Sequence, residues 1–214
     1  MNNKKTFILG IIAIVALSGI VWYASVNKEE IAGQAASLLG SNNEQSGETE
    51  SIGDLVLGSP DAPVVVTEYS SHTCGHCIDF HIETLPLIMD KYVKTGKVKI
   101  IFRPLSPLEL ELAVVCAQEQ GSFQEINDYL FEHIQEIGSV DDILAIAGIL
   151  GLNQSDFNEC FDSQRYIEDI QKWFDQASAA NLDGTPTFFI NEQRISGNLP
   201  YSVFEQAIEQ ELNK

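Results

Sequence analysis

Hydrophobic and polar positions divide this 214-residue chain into three unequal stretches. An uncharged, proline-free run from Phe7 to Ala24, FILGIIAIVALSGIVWYA, follows Lys4 and Lys5. As a helix rising about 1.5 Å per residue it would reach roughly 27 Å, close to the hydrocarbon thickness of a bilayer. The run is long for a signal-peptide core, and Trp22 and Tyr23 stand where a cleavage site wants small residues. An uncleaved transmembrane signal-anchor over residues 6–25 is therefore expected, with 1–5 as a cytoplasmic tail; secretion after cleavage is the alternative. In both readings the two lysines stay inside and the remainder is exported. Residues 26–53, centred on SNNEQSGETES, lack periodicity and read as a flexible polar stalk.

From Asp54 onward the pattern is that of a folded α/β domain. Turn residues Gly58 to Pro63 precede a β-branched and aromatic run, Val64 to Tyr69, which predicts a buried strand. A helical stretch follows from Cys77 through Leu85 to Val93, closed by Gly96, and Val98 to Phe102 predicts a second strand ending at Pro104. Strand, helix and strand in this order make a βαβ unit. Between 106 and 182 apolar residues recur at helical spacing, predicting helices over 108–119, 123–137, 140–150, 154–161 and 166–180. The β pattern returns at Thr187 to Ile190, turns through Asn191-Glu192, pairs with Gln193 to Ser196, and gives way to a helix over about 200–212. The organisation predicted is an α/β domain over 54–105 and 183–214, interrupted by an all-helical insertion over 106–182.

Charge narrows the choice of partners. Twelve basic and 31 acidic residues give −19, and setting aside Lys4 and Lys5 leaves −21 on the part that would be exported. Such a surface disfavours nucleic acid and anionic lipid headgroups.

Four cysteines carry the candidate chemistry. Cys74 and Cys77, two residues apart at a strand-to-helix junction, can close a small disulfide ring without moving the backbone. Cys74 would sit at the helix N-terminus, where amide N–H groups and the dipole favour a thiolate, so it attacks and Cys77 resolves. His76 could stabilise that thiolate and so make the disulfide a stronger oxidant; a solvated loop histidine is the other reading. Glu68, near the end of an apolar strand, would be partly buried with a raised pKa and could pass protons to or from Cys77, unless it faces solvent. Arg103 could lie near it. Thr185-Pro186 opens the returning strand, a place where proline implies an edge or a cis turn, with an ordinary trans strand-start proline as the other reading; a cis bond would leave the Thr185 backbone free to pair with a substrate strand. Cys116 and Cys160, left as a pair in an oxidising compartment, are expected to be disulfide-bonded, with two inert buried thiols as the alternative. Zinc would want four converging ligands, and His72, His76, His81, Cys74 and Cys77 converge awkwardly, so no metal and no cofactor is expected.

The run DLVLGSPDAPVVVTEYSSHTCGHCIDFH, the inserted helices and GTPTFFIN before an amphipathic helix resemble the DsbA-like branch of the thioredoxin superfamily over roughly 54–214. The resemblance implies a thioredoxin fold with a helical insertion, Cys74 as attacking thiol, Cys77 as its partner, Glu68 as the buried acid and Pro186 in cis. It also implies donation of disulfides to newly exported proteins and reoxidation by a DsbB-like, quinone-linked membrane protein. Gly75-His76 between the cysteines looks instead like protein disulfide isomerases, as does Thr185 before the proline. Three functions therefore compete: a disulfide-introducing oxidase, an isomerase or reductase kept reduced by a membrane electron donor, and a chaperone or metal-binding module.

Overall fold

A computed structural model of the chain describes residues 51–214. The expected tail, signal-anchor and stalk, up to residue 50, lie outside the described residues. Among the described residues no helix is long and apolar enough to cross a membrane.

Five strands form one sheet in the order β1-β3-β2-β4-β5. Strands β1 (Leu55–Leu57), β2 (Val64–Ser70) and β3 (Val98–Pro104) precede the helical segment, and β4 (Thr187–Ile190) and β5 (Gln193–Ser196) follow it. Only β2 and β3 run parallel, because the helix between them returns the chain to the same end of the sheet. The sequence pattern did not single out β1: three residues are too few to establish an alternation. Its identity comes from antiparallel pairing with β3, Leu55 opposite Phe102.

Side chains alternate across the sheet, which decides what meets what. Glu68 lies beside Phe102 of β3 and Phe188 of β4. The Phe188 ring packs on Phe80 and on Phe204 of the C-terminal helix, at centroid distances of 4.4 and 4.9 Å. Tyr69 pairs with Arg103 in register and belongs to the opposite face. Arg103 is therefore not the partner of Glu68: its Nη2 reaches Asp54 Oδ1 at 2.5 Å and its guanidinium lies over Trp173.

Helix α1 follows β2 and differs from the regular helix predicted. It alternates α-helical Gly75–Asp79, π-helical Phe80–Thr84, α-helical Leu85–Ile88 and π-helical Met89–Val93. Pro86 lies inside it, where an α-helical turn would drive its ring into the carbonyl four residues back; the wider turn over Phe80–Thr84 immediately precedes this point. Gly96, at φ +74°, caps the helix as anticipated.

The insertion contains α2 (Leu108–Glu119), α3 (Phe123–His133), a 3-10 turn (Ile134–Glu136), α4 (Val140–Ile149), α5 (Gln154–Ser163) and α6 (Ile167–Ala179), and the chain ends in α7 (Tyr201–Leu212). Ser139 caps α4 by accepting from the Asp142 amide, and Asn153 caps α5 by accepting from the amides of Ser155 and Asp156. A disulfide joins Cys116 of α2 to Cys160 of α5, across 44 residues of chain. Residues 51 and 52, placed in the stalk by composition, are held: the Ile52 amide donates to Asp169 Oδ2 at 2.9 Å.

Candidate active site

Cys74 is the N-cap of α1, and Cys77 lies one turn in, fully buried; both thiols are free. The turn brings the Cys77 and Ile78 amides onto the Cys74 carbonyl, each at 3.0 Å. The Thr185-Pro186 bond is cis, and the Thr185 carbonyl accepts from Cys74 Sγ at 3.3 Å, 111 residues away in sequence. Strand β4 is interior to the sheet, so the edge-strand reading of Pro186 is excluded.

These surroundings separate the two thiols. Partial burial opposes ionisation of Cys74, but the Thr185 side chain, the Cys77 amide and thiol and the His76 amide outweigh it and hold the group below the ordinary thiol value. As a thiol Cys74 donates to the Thr185 carbonyl; as a thiolate it accepts, and the free amides of the helix start become its partners. Cys77 moves the other way: burial pushes it up to about 12, against opposing contributions from the Ser70 hydroxyl and the Ser71 amide. The Ser71 amide donates to Cys77 Sγ at 3.4 Å. The pair therefore ionises first at its exposed end.

His76 is exposed beside Cys74. Gly75 is also exposed, and a Cβ added there would meet no atom within 4 Å. Gly75→Ala is accordingly expected to fold normally and gain roughly 0.4–1 kcal/mol, through loss of freedom in the unfolded chain. A destabilised variant in urea titration would contradict this.

Behind the cysteines lie two buried polar clusters. Glu68, 1% exposed, is hydrogen-bonded at 2.9 Å to His81 Nε2, and the His81 ring stacks on Phe131 at 3.6 Å. The solvent-facing alternative for Glu68 is thus excluded, and sequence reasoning missed its partner. The second cluster centres on His72, which is fully buried. Its amide donates to Ser106 Oγ at 2.9 Å, so the Ser106 hydroxyl hydrogen is free to donate to His72 Nδ1 at 2.8 Å. That leaves the ring proton on Nε2, donated to Asn127 Oδ1 at 2.9 Å. The Ser106 amide donates to Glu111 Oε1, and burial raises the Glu111 carboxyl well above the usual range. Both clusters commit histidines to protein partners: His72 and His81 point into the fold rather than converging on the cysteines. Among the described residues no group of three or more potential metal ligands gathers.

Ser106, Glu111 and Asn127 were not singled out by pattern. The available signal was Glu111 itself, a carboxylate within the apolar run LELELAVVCA; all eight residues of α2 from Leu110 to Ala117 are buried. The cluster anchors the loop before Cys74 to the insertion and makes stability depend on pH. His72, lowered to about 3 by burial despite its bond to Asn127, titrates near 6.5 when unfolded. Between those values the unfolded chain binds the extra proton. The His72 contribution is therefore complete above about pH 6.5 and falls toward pH 3, at up to about 1.4 kcal/mol per pH unit, while the raised Glu111 carboxyl acts in the opposite direction. In urea titrations from pH 7 to pH 4 the wild type is expected to lose more stability on acidification than His72→Gln; identical slopes would refute the assignment.

The site thus combines a partly exposed thiol at a helix start, a buried one a turn further on and a proline loop against the first sulfur. The family model described as Thioredoxin matches residues 50–210. The chain belongs to the thioredoxin family. Within it, this chain is a DsbA-like thiol:disulfide oxidoreductase. It is 29% identical over 174 residues to a putative protein-disulfide oxidoreductase of Rickettsia bellii, covering 75% of this chain and 67% of that one. It is 26% identical over 188 residues to disulfide bond formation protein D of Bacillus subtilis, covering 80% and 82%. The crystal structure of Wolbachia pipientis α-DsbA1 is similar, with a TM-score of 0.69 at 26% identity over 75% of this chain and 92% of that one. The DsbA-like chain spans from 23% to 61% of the length of several other relatives it matches.

Proposed function

We propose that this thioredoxin-family chain donates its Cys74–Cys77 disulfide to reduced, exported polypeptides. The observation that carries the reading is the opposed acidity of the two thiols: Cys74 lowered and partly exposed, Cys77 buried and pushed up to about 12. A stabilised Cys74 thiolate favours the reduced enzyme and hence makes its disulfide an oxidant. In the reaction a substrate thiolate attacks Cys74 Sγ, and the Cys74–Cys77 bond breaks with its electron pair on Cys77. A second substrate thiolate then attacks the substrate sulfur and releases Cys74 as thiolate. The substrate loses two electrons and the enzyme gains them; a DsbB-like quinone-linked membrane protein would remove them again.

Cys77 leaves as the anion of a weak acid and needs a proton. Glu68 is our candidate donor. It shares a sheet face with Ser70, whose hydroxyl favours ionised Cys77, and His81 orients its carboxyl. Replacing Glu68 with Gln is expected to slow disulfide transfer by about 10² without displacing His81. An unchanged rate across pH 6 to 8 would remove Glu68 from the mechanism. Thr185 and Pro186 would lie along the substrate backbone, and Gly75 and His76 would tune the couple. We place the catalytic domain outside the cytoplasm, tethered by the apolar segment 6–25.

The oxidised chain mixed with reduced, unfolded ribonuclease should return native disulfides and appear as dithiol, and Cys74→Ser should abolish this. Rescue of scrambled ribonuclease with no oxidation of the reduced form would favour the isomerase reading, which Gly75-His76 supports. Activity that survives loss of both Cys74 and Cys77 would point to a binding module.

A further inference from the structure

Cys77 takes up an electron pair when the disulfide opens, and it does so inside the hydrophobic core, at 0% exposure. A sulfur anion in that place depends on donors supplied by the protein. The Ser71 amide, 3.4 Å from Cys77 Sγ, is one. Ser70 is a second candidate. It is the last residue of β2 and 0% exposed, and its carbonyl accepts from the Leu105 amide at 2.7 Å, which pins its backbone. Its register partner in β3 is Pro104, which offers neither an amide hydrogen nor a polar side chain. Among the described residues the buried Ser70 hydroxyl has no hydrogen-bond partner while both cysteines are thiols. Yet the same hydroxyl favours the ionised form of Cys77.

A buried hydroxyl without a partner destabilises a fold, and alanine, of nearly the same volume, would avoid that cost. The hydroxyl can turn to suit an acceptor, and Cys77 becomes a good one only when charged, since a thiol sulfur accepts weakly and an anion strongly. We propose that Ser70 donates a hydrogen bond to Cys77 Sγ while the Cys74–Cys77 bond opens or closes, forming with the Ser71 amide a two-donor seat for the developing sulfur anion. This rests on the disulfide-donor reading above and adds a residue to its mechanism. In opening, the substrate thiolate bonds to Cys74 Sγ and the electron pair of the Cys74–Cys77 bond passes to Cys77. Ser70 keeps its own proton throughout; the proton that completes the Cys77 thiol is the one assigned above to Glu68. In closing, Cys77 is an anion again as it attacks Cys74 Sγ. The interaction is strongest between disulfide and dithiol and weak in both. An interaction of that kind speeds the two directions equally and leaves the equilibrium alone.

The test compares full-length Ser70→Ala with the wild type. Reduced protein mixed with oxidised glutathione first forms a mixed disulfide at Cys74 and then closes through Cys77; mass spectrometry of acid-quenched samples separates the two steps. A hydrogen bond to a charged group is worth roughly 10- to 100-fold, and about half of the charge is present in the transition state, so closure should slow about three- to tenfold. Opening of the oxidised form by dithiothreitol should slow by the same factor. Formation of the mixed disulfide, which does not involve Cys77, should keep its rate. The potential in a glutathione buffer should stay in place, whereas a tenfold effect on one direction alone would move it by about 30 mV. The urea midpoint should hold or rise. Ser70→Thr retains the hydroxyl at a strand position that suits a β-branched residue; it should close within about twofold of the wild-type rate, even where its added methyl lowers the midpoint. Unchanged closure in Ser70→Ala, a potential displaced by the full rate factor, or equal slowing in Ser70→Thr overturns the proposal. Failure of the oxidised wild type to oxidise dithiothreitol at all would strike the donor reading itself, and Ser70 would lose its role with it.

Discussion

Reduced Cys77→Ser protein mixed with oxidised glutathione at pH 7 is expected to form a mixed disulfide at least about a hundredfold faster than Cys74→Ser protein. A thiol at about 12 is ionised at pH 7 to roughly one part in 10⁵, whereas one at or below the ordinary value of 9.0 is ionised to about 1% or more. The more basic thiolate is the better nucleophile, which returns roughly a factor of 20 to Cys77 over three pH units. That leaves about fiftyfold from ionisation alone. Access adds the rest, because Cys77 is 0% exposed and Cys74 is not buried. The asymmetry survives removal of the partner sulfur, since burial is the largest cause of the Cys77 displacement. Mass spectrometry of quenched time points reads the rates directly. Comparable rates for the two variants would mean that the environment does not distinguish the sulfurs, and the assignment of attacker and resolver would fall.

Removing the second disulfide is expected to destabilise the fold by about 4 kcal/mol. Cys116 and Cys160 close a loop of 44 residues, and in the chain-entropy model a cross-link of that length costs the unfolded chain about this much. The two half-cystines are 1% exposed in the cluster formed by α2 and α5, so Cys116→Ala with Cys160→Ala leaves only a small apolar gap to add. For a folded unit of this size the loss corresponds to a fall of about 8–16 °C in Tm. Urea and thermal unfolding of the double variant check both figures. A loss below 1 kcal/mol would show that the insertion is held by its core alone.

The two disulfide chemistries are kept apart by position. Cys74 and Cys77 sit at a helix start under the cis-proline loop, where amides and a hydroxyl meet the sulfur. Cys116 and Cys160 lie within helices, buried among apolar side chains. The His72 cluster joins the two regions mechanically, because Ser106, Glu111 and Asn127 of the insertion fix the loop that ends at Cys74.

Much of this was legible before any coordinates. Strand β2, the inserted helices, the β4–β5 hairpin and the capping Gly96 follow from periodicities and turn residues spanning a few positions. Asn191 in that hairpin has φ +49°, which asparagine tolerates better than other side chains. The roles proposed for Cys74 and Cys77 rest on their spacing at a strand-to-helix junction, which is equally local. Tertiary structure decided what spacing cannot carry: the pairing of β1 with β3, the placement of His81 against Glu68, and the Thr185 carbonyl on Cys74. It also turned Arg103 toward Asp54 and His72 toward Ser106 and Asn127. The reason is physical. A local pattern sets backbone geometry through contacts within a turn, whereas the acidity of a thiol or the partner of a buried carboxylate depends on burial and on groups brought together from distant parts of the chain.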